Sequence, residues 1–379
     1  MCILKILILG GYGTFGGRLA HLLADEERLT LLIAGRSKDK AVEFCNSQVF
    51  RAQTVALAFD RDHDVERQIR VLQPNLVVDA TGPFQLYGDN PYRVVNACLA
   101  CQVNYVDLAD GSDFVKGIVQ FDAQAKAKNI FILSGVSSFP VLTAAVVRHL
   151  SSDMTALNSI TAGIAPSPYA GVGLNVLRAI TAYAGKPIAL RRNGQLSEGY
   201  ALTESMRYRI SPPNYRALPS IHFSLVDVPD LQVLPELWPE VQSVWIGAGP
   251  VPEILHRVLN GLSWLVRLKL LTSLLPFAKL FYHVMNVVRW GEDRGGMFVT
   301  IKGVCEDGKS IARSWHLLAE GKDGPLIPSM AIEAVVRKWL LDVRPVTGAR
   351  SAGRELELSD YEALFKKRTI YTGQKETAE

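Results

Sequence analysis

Cys2-Ile3-Leu4-Lys5-Ile6-Leu7-Ile8-Leu9 runs without a break into Gly10-Gly11-Tyr12-Gly13-Thr14-Phe15-Gly16-Gly17. The apolar run reads as a buried strand. Gly11, Gly13 and Gly16 then satisfy G-x-G-x-x-G, and Arg18-Leu19-Ala20-His21-Leu22-Leu23 opens a helix. Strand, glycine turn and helix N-terminus together form a pyrophosphate site. Gly11 allows the tight turn, Gly13 lets backbone N–H groups approach the phosphates, and Gly16 lets helix and strand pack closely. Thr14 and Phe15 fall inside the same turn, and the positive end of the helix faces the anion.

Leu29 to Ala34 is a second apolar strand, ending in Gly35-Arg36-Ser37. A site that prefers NAD places a carboxylate about 20 residues past the glycines, on the ribose 2′-OH. No Asp or Glu ends this strand. Arg36 stands there beside Ser37 and Lys38, which suits a 2′-phosphate and points to NADP. Asp60, just past the third strand, joins the expected cofactor contacts.

The α/β rhythm continues through Val55–Phe59, Leu76–Ala80, Asn104–Asp107 and Ile130–Leu133, with helical stretches between, about Pro91 to Cys101 and Asp113 to Lys128. Six short strands alternating with helices predict a doubly wound parallel sheet, with the ligand crevice at the strands' carboxyl ends. Those ends carry Ala80, Thr81, Gly82 and Pro83 after strand four, as cofactor contacts. Asp107-Leu108-Ala109-Asp110-Gly111 follows strand five and Ser134-Gly135-Val136-Ser137-Ser138 strand six. The dinucleotide domain is expected over 1–150, an α+β domain over 151–325 and a closing segment over 326–379. The helix 327–341 is a candidate to pack back on the first domain. Asn193-Gly194 and Asp307-Gly308 each mark a hairpin in the second domain. Residues from about Thr372 are polar and read as frayed.

Length and composition fit this division. The chain has 379 residues, 48% of them apolar and 21% charged, enough for two domains with a sizeable core. A net charge of +4 with scattered basic residues gives no case for a nucleic-acid partner. Five cysteines read as reduced thiols of a cytoplasmic chain rather than a disulfide framework. Cys98-x-x-Cys101 lies late in a helix and reads as packing. Between Ile254 and Trp290 the chain is apolar but interrupted by Arg257, Arg267, Lys269, Lys279 and Arg289. That suggests two amphipathic helices broken near Pro276, packed on the core or on a second subunit, with membrane-surface attachment the rival reading.

The stretches Gly10–Gly17, Ala34–Ser37, Asp79–Phe84 with Tyr87-Gly88, Asn104–Leu108, Gly324–Pro328 and Gly348–Arg350 resemble the saccharopine dehydrogenase-like family, NADP-binding oxidoreductases related to saccharopine reductase. The resemblance implies a Rossmann domain, then an α+β domain with substrate determinants and often subunit contacts, as in a homodimer. It also implies hydride transfer at the nicotinamide C4. Two stretches depart from the family pattern and bear on the substrate: Ala109-Asp110-Gly111-Ser112-Asp113 and Ser137-Ser138-Phe139-Pro140-Val141.

A dehydrogenase needs an acid or base beside the hydride acceptor. Tyr105 and Asp107, at the end of the fifth strand and expected to face the crevice, are the first candidates, and Tyr87 the third. Asp79 is expected to point into the turn around Thr81, and His149 to lie at the surface. Tyr183 and Lys186 miss the Tyr-x-x-x-Lys spacing of short-chain dehydrogenases by one residue, although Gly10, Gly13 and Gly16 also fit G-x-x-G-x-x-G. No ligand spacing for a metal and no G-x-S-x-G elbow is present. The expected function is NADP-dependent oxidation or reduction of a small polar substrate of amino-acid or imine type. The alternative is a non-catalytic NADP-binding sensor or membrane-surface scaffold.

Overall fold

The computed structural model describes residues 3–288 and 290–378; Cys2 and Arg289 lie outside them. The chain opens with β1 (Leu4–Leu9), α1 (Thr14–Leu22), β2 (Leu29–Gly35), α2 (Lys38–Asn46), β3 (Gln53–Ala58) and α3 (Val65–Leu72). Next come β4 (Leu76–Asp79), α4 (Arg93–Cys101), β5 (Asn104–Asp107), α5 (Ser112–Gly117), α6 (Asp122–Ala127) and β6 (Phe131–Ser134). A second set follows: α7 (Thr143–Leu150), β7 (Met154–Ala165), α8 (Leu174–Tyr183), β8 (Pro187–Arg192), β9 (Gln195–Tyr200) and β10 (Ser205–Tyr208). It continues with β11 (Ile221–Leu225), α9 (Asp230–Leu237), β12 (Ser243–Ala248), α10 (Glu253–Arg267), α11 (Ala278–Val287), β13 (Arg294–Cys305) and β14 (Ser310–Glu320). The last elements are α12 (Ile327–Trp339), β15 (Gly348–Ser351), α13 (Leu358–Phe365) and β16 (Ile370–Ala378).

The chain divides into two units, one of residues 1–141 with 326–356, the other of 142–325 with 357–379. In the first, seven strands form a sheet in the order β15-β6-β5-β4-β1-β2-β3, every pair parallel. The apolar runs of β1, β2 and β4 are buried almost throughout, as a parallel sheet covered on both faces requires. Leu7, Leu9, Val77, Tyr105 and Ile132 meet Val95, Leu99 and Ile118 in its core. The order reverses direction between β1 and β4, which places the ligand crevice outside their carboxyl ends. α12 lies along α1, where the Ser329 hydroxyl donates to the Phe15 carbonyl at 3.2 Å and Arg337 to the Leu22 carbonyl at 3.0 Å.

The second unit is built on a mixed sheet in the order β10-β11-β12-β7-β13-β14-β16, with β8-β9 as a separate ribbon. Asn193 and Gly194 take φ of 49° and 78° between β8 and β9, as the Asn-Gly pair predicts. Ile210, Phe223, Phe298 and Leu318 form its core, and the Tyr208 ring stacks on Phe298 at 3.7 Å.

Two sequence expectations need correction. The stretch 113–128 is not one helix: α5 ends at Gly117, a 3-10 turn covers Ile118–Phe121, and α6 follows. Gly117 lies against the Tyr92 hydroxyl, leaving no room there for a Cβ. The polar tail is not frayed either. β16 pairs antiparallel with β14 from Ile370 opposite Ala319 to Ala378 opposite Ile311. Its ladder needs only backbone groups, and side chains reinforce it: Glu376 accepts from Arg313 at 2.8 Å and Tyr371 stacks on Tyr215 at 4.4 Å.

Candidate dinucleotide site

The turn after β1 is shaped by contacts that admit no side chain. Gly10 takes φ +73°, and a Cβ on it would stand 2.9 Å from the Ala80 carbonyl oxygen. The positive φ of the turn therefore falls on Gly10, one residue before the Gly11 that the motif reading selected. Gly16 packs so closely on the Gly10 carbonyl that a Cβ would overlap its oxygen. Gly13 is the extended residue before α1, which begins at Thr14, four residues earlier than the sequence suggested. No side chain caps that helix and no acid lies in its first turn. Its first N–H groups, on Thr14, Phe15 and Gly16, are thus open to an anion.

Two neighbouring residues at the end of β2 behave differently. Arg36 is exposed. The Ser37 hydroxyl accepts from the Lys40 N–H at 3.3 Å and caps α2, while its own N–H donates to the Tyr12 hydroxyl at 3.0 Å. A Cβ on Gly35 would meet the Tyr12 ring at 2.5 Å. Tyr12 thus binds the first glycine turn to the second, a role the motif gave no sign of. Asp60 turns the chain after β3: its carboxylate accepts from the Asp62 N–H at 2.9 Å.

At the end of β4, Asp79 is almost wholly buried. It accepts from the Thr81 N–H at 3.0 Å and from the Thr81 hydroxyl at 2.5 Å, as expected for an acid pointing into that turn. The Thr81 and Tyr87 hydroxyls are 2.7 Å apart. The Arg61 guanidinium lies 3.5 Å from the Tyr87 ring centroid and 4.0 Å from the Asp79 carboxylate. Its Nε and Nη2 are buried without a hydrogen-bond partner. Arg61 follows β3 and reaches this group only through the fold; no local pattern marks it. Burial, then the Asp79 charge, holds the Tyr87 hydroxyl well above its usual pKa. Ala80 donates its N–H to the Leu9 carbonyl at 3.0 Å, and Gly82-Pro83 leads on to Phe84, which packs 4.9 Å from Tyr87.

Asp107 of β5 stands beside Asp79 in register. One carboxylate oxygen accepts from the Ala109 N–H at 2.9 Å, the Gly135 N–H at 2.7 Å and the Ser134 hydroxyl at 3.0 Å. The other oxygen has no partner. Burial pushes this acid up to about 7 against those hydrogen bonds. Tyr105 is fully buried within the sheet's core, its hydroxyl without a partner. Tyr87 is the one of the three expected acid/base residues that is not fully buried.

One tyrosine does have the Tyr-x-x-x-Lys spacing, Tyr371 with Lys375. Both lie on β16 in the second unit, where Lys375 donates to the Ser211 hydroxyl at 3.1 Å. Cys98 and Cys101 close α4, Cys98 fully buried with its thiol pushed up by burial, as packing requires. His149 is exposed, 3.3 Å from the Gln374 side chain.

The donor set fits a phosphorylated dinucleotide: a glycine cradle that a Cβ would fill, an uncapped helix start, and an exposed arginine at the end of β2. Residues 6–133 match the family model of the saccharopine dehydrogenase NADP binding domain. A Caenorhabditis elegans protein described as "Lipid droplet localized protein" is 26% identical over 146 residues, 36% of this chain and 34% of that protein. The match thus spans about a third of the length of that curated relative. Apo saccharopine dehydrogenase (L-Glu forming) from Saccharomyces cerevisiae shares the fold with a TM-score of 0.67, at 13% identity, over 99% of this chain and 100% of that one. Residues 6–133 thus match a saccharopine dehydrogenase NADP binding domain, and the chain as a whole shares the fold of saccharopine dehydrogenase.

Proposed function

We propose that this chain is an NADP-dependent oxidoreductase acting on a small polar substrate of amino-acid or imine type. The observation that carries the reading is the group formed by Asp79, Thr81, Tyr87 and Arg61 at the strand ends, beside the glycine turn. When bound, NADP supplies or accepts a hydride at the nicotinamide C4.

The protein's own part is to bind, orient and hold protons. The N–H groups at the start of α1 would hold the pyrophosphate, with Gly11, Gly13, Thr14, Phe15 and Gly16 forming the cradle. Arg36 would bind the 2′-phosphate, with Ser37 holding α2 in place and Asp60 fixing the neighbouring turn. Ala80, Thr81, Gly82 and Pro83 would line the crevice along the dinucleotide. Tyr87, kept protonated by burial and by Asp79, would donate a hydrogen bond that orients and polarises the reacting group of the substrate. The Arg61 guanidinium pairs loosely with Asp62 at 3.6 Å and Asp79 at 4.0 Å while its buried Nε and Nη2 make no hydrogen bond, which suits an anionic or carbonyl ligand such as the carboxylate of an amino acid or imino acid. Asp107 would be a positioning residue, its carboxylate tying the end of β5 to that of β6 through Ser134 and Gly135, and Tyr105 would support it by packing in the core.

The test is calorimetric titration with NADPH and NADH, followed by a panel of amino acids and of carbonyl compounds with and without amines. Tight NADPH binding with weak NADH binding, and turnover of one panel member, is the expected result. Tight NADPH binding without any turnover would favour a non-catalytic sensor. Failure to bind either nucleotide would remove the oxidoreductase reading altogether.

A further inference from the structure

Helices α10 and α11 carry apolar residues on their outer faces in addition to the inward apolar stripe usual for a surface helix. On α10 the polar residues His256 and Ser263 are buried, whereas Ile254, Arg257, Val258, Trp264, Leu265 and Leu268, the last just past its end, are exposed or nearly so. Their spacing puts them on one helical face. On α11 and the turn before it, Phe277, Leu280 and Val287 are exposed likewise. Of the 23 large apolar side chains exposed among the described residues, 11 lie between Ile254 and Trp290. The inner faces of both helices rest on one cluster around Ala184, Leu202, Val226, Val266 and Leu274. The outer apolar faces are therefore not needed to hold the helices, and a concentration of this kind marks an interaction site.

Charge narrows what covers it. From 254 to 290 the sequence holds Arg257, Arg267, Lys269, Lys279 and Arg289, and no Asp or Glu; Glu253, the first residue of α10, accepts from Arg257 at 2.7 Å, which leaves the lysines as the unneutralised charges of the face. Lys269 and Lys279 are exposed, and the two tryptophans of the segment, Trp264 and Trp290, are 42% and 73% exposed. Exposed Leu, Val and Trp with lysines at the edge is the pattern of helices that lie in a lipid interface, the ammonium groups remaining at headgroup level. A second copy fits less well, because a two-fold axis would set this positive face against itself. No helix of the described residues is long and apolar enough to cross a membrane.

We propose that the outward face of α10 and α11 docks on an anionic phospholipid membrane, with both helices lying in the plane of its interface. The apolar side chains enter the boundary between headgroups and acyl chains, and the lysines contact lipid phosphates. The surface lies wholly in the second unit and does not depend on the oxidoreductase reading.

The experiment is flotation of the full chain with phosphatidylcholine vesicles, with and without phosphatidylserine, together with tryptophan emission. Two double variants accompany it, Trp264→Ser with Leu268→Ser and Lys269→Glu with Lys279→Glu. Circular dichroism confirms that each is folded. The wild-type chain is expected to float with the serine-containing vesicles, with blue-shifted emission, and to be released by salt. The apolar variant should stay in the soluble fraction. The charge variant should bind at least tenfold more weakly, since each positive charge near such a surface contributes about fivefold. If a variant fails to fold, the lipid and salt dependence of the wild-type chain decides the matter. A wild-type chain that remains in the soluble fraction overturns the proposal. So does a dimer by light scattering that Trp264→Ser with Leu268→Ser dissociates, which would assign the face to a second copy. NADPH titration of the same samples reports separately on the cofactor site.

Discussion

Arg36 and Ser37 are adjacent at the end of β2, yet only one is free to meet a ligand. Ser37 commits its hydroxyl to α2 and its N–H to Tyr12, whereas Arg36 is exposed. Arg36→Ala should therefore weaken NADPH binding by about 10- to 100-fold, the scale of a charge-assisted hydrogen bond, and leave NADH nearly unchanged; calorimetry that found equal losses would detach Arg36 from the 2′-phosphate. Ser37→Ala should instead cost about 0.5–2 kcal/mol of stability, as loss of an N-cap does. A different residue-scale effect belongs to Asp230, at the start of α9. It is fully buried, and burial pushes it up to about 7 against the opposing influence of the neighbouring Thr143 hydroxyl and its own N–H. A carboxyl raised in the folded state keeps its proton where the unfolded chain has lost it. Its contribution to stability is full below the unfolded value of about 3.9 and is lost as pH rises through about 7. Thermal melts should show the fall in melting temperature between about pH 5 and about pH 8 shrinking in Asp230→Asn. An unchanged fall would assign the pH dependence to other groups, Asp107 first among them.

The turn between β1 and α1 shows how an element depends on a single missing atom. Gly16→Ala would force the Gly10 carbonyl aside, at about 1–3 kcal/mol for overpacking, and should remove NADPH binding at the same time. Retained binding with a normal melting temperature would mean that the turn relaxes. At the other end of the chain, β16 shows an element that its own sequence hides. Its residues are mostly polar, and it exists because β14 offers an unpaired edge. Deleting residues 370–378 exposes that edge, so the variant should aggregate on size exclusion. Six strands of the first unit, β1 to β6, were legible because each is a short apolar run bounded by turn residues, whereas β15, Gly-Ala-Arg-Ser, carries no such signal and was missed. Asn104–Asp107 lies where the sequence put it, and the others differ by a residue or two at their ends. The helix expected over 113–128 was not legible as a broken one: α5 ends at Gly117, where Tyr92, distant in sequence, lies against the backbone.

At the scale of the molecule, the first unit is not a continuous piece of chain. Residues 326–356 return to it, adding β15 beside β6 and α12 along α1. Residues 1–141 alone would leave the β6 edge unpaired and the outer face of α1 bare. They should remain poorly folded by circular dichroism, and joining 326–356 to them should restore cooperative melting; a cooperative melt of 1–141 alone would refute this. The sequence by itself determined the parallel sheet, the glycine cradle, the NADP-binding class and the basic residue at the end of β2. These rest on local signals, namely apolar runs, glycine spacing and one charge at a strand end. Tertiary structure alone decided that Gly10 takes the positive φ, that Tyr12 joins the two turns, that Arg61 meets Tyr87 and Asp79, and that Tyr105 is enclosed in the core. Each of these depends on backbone atoms or side chains brought close by sheet pairing and turn geometry rather than by a readable spacing. The outward apolar face of α10 belongs to the same class: its periodicity can be read from the sequence, but which side faces the core is fixed by packing.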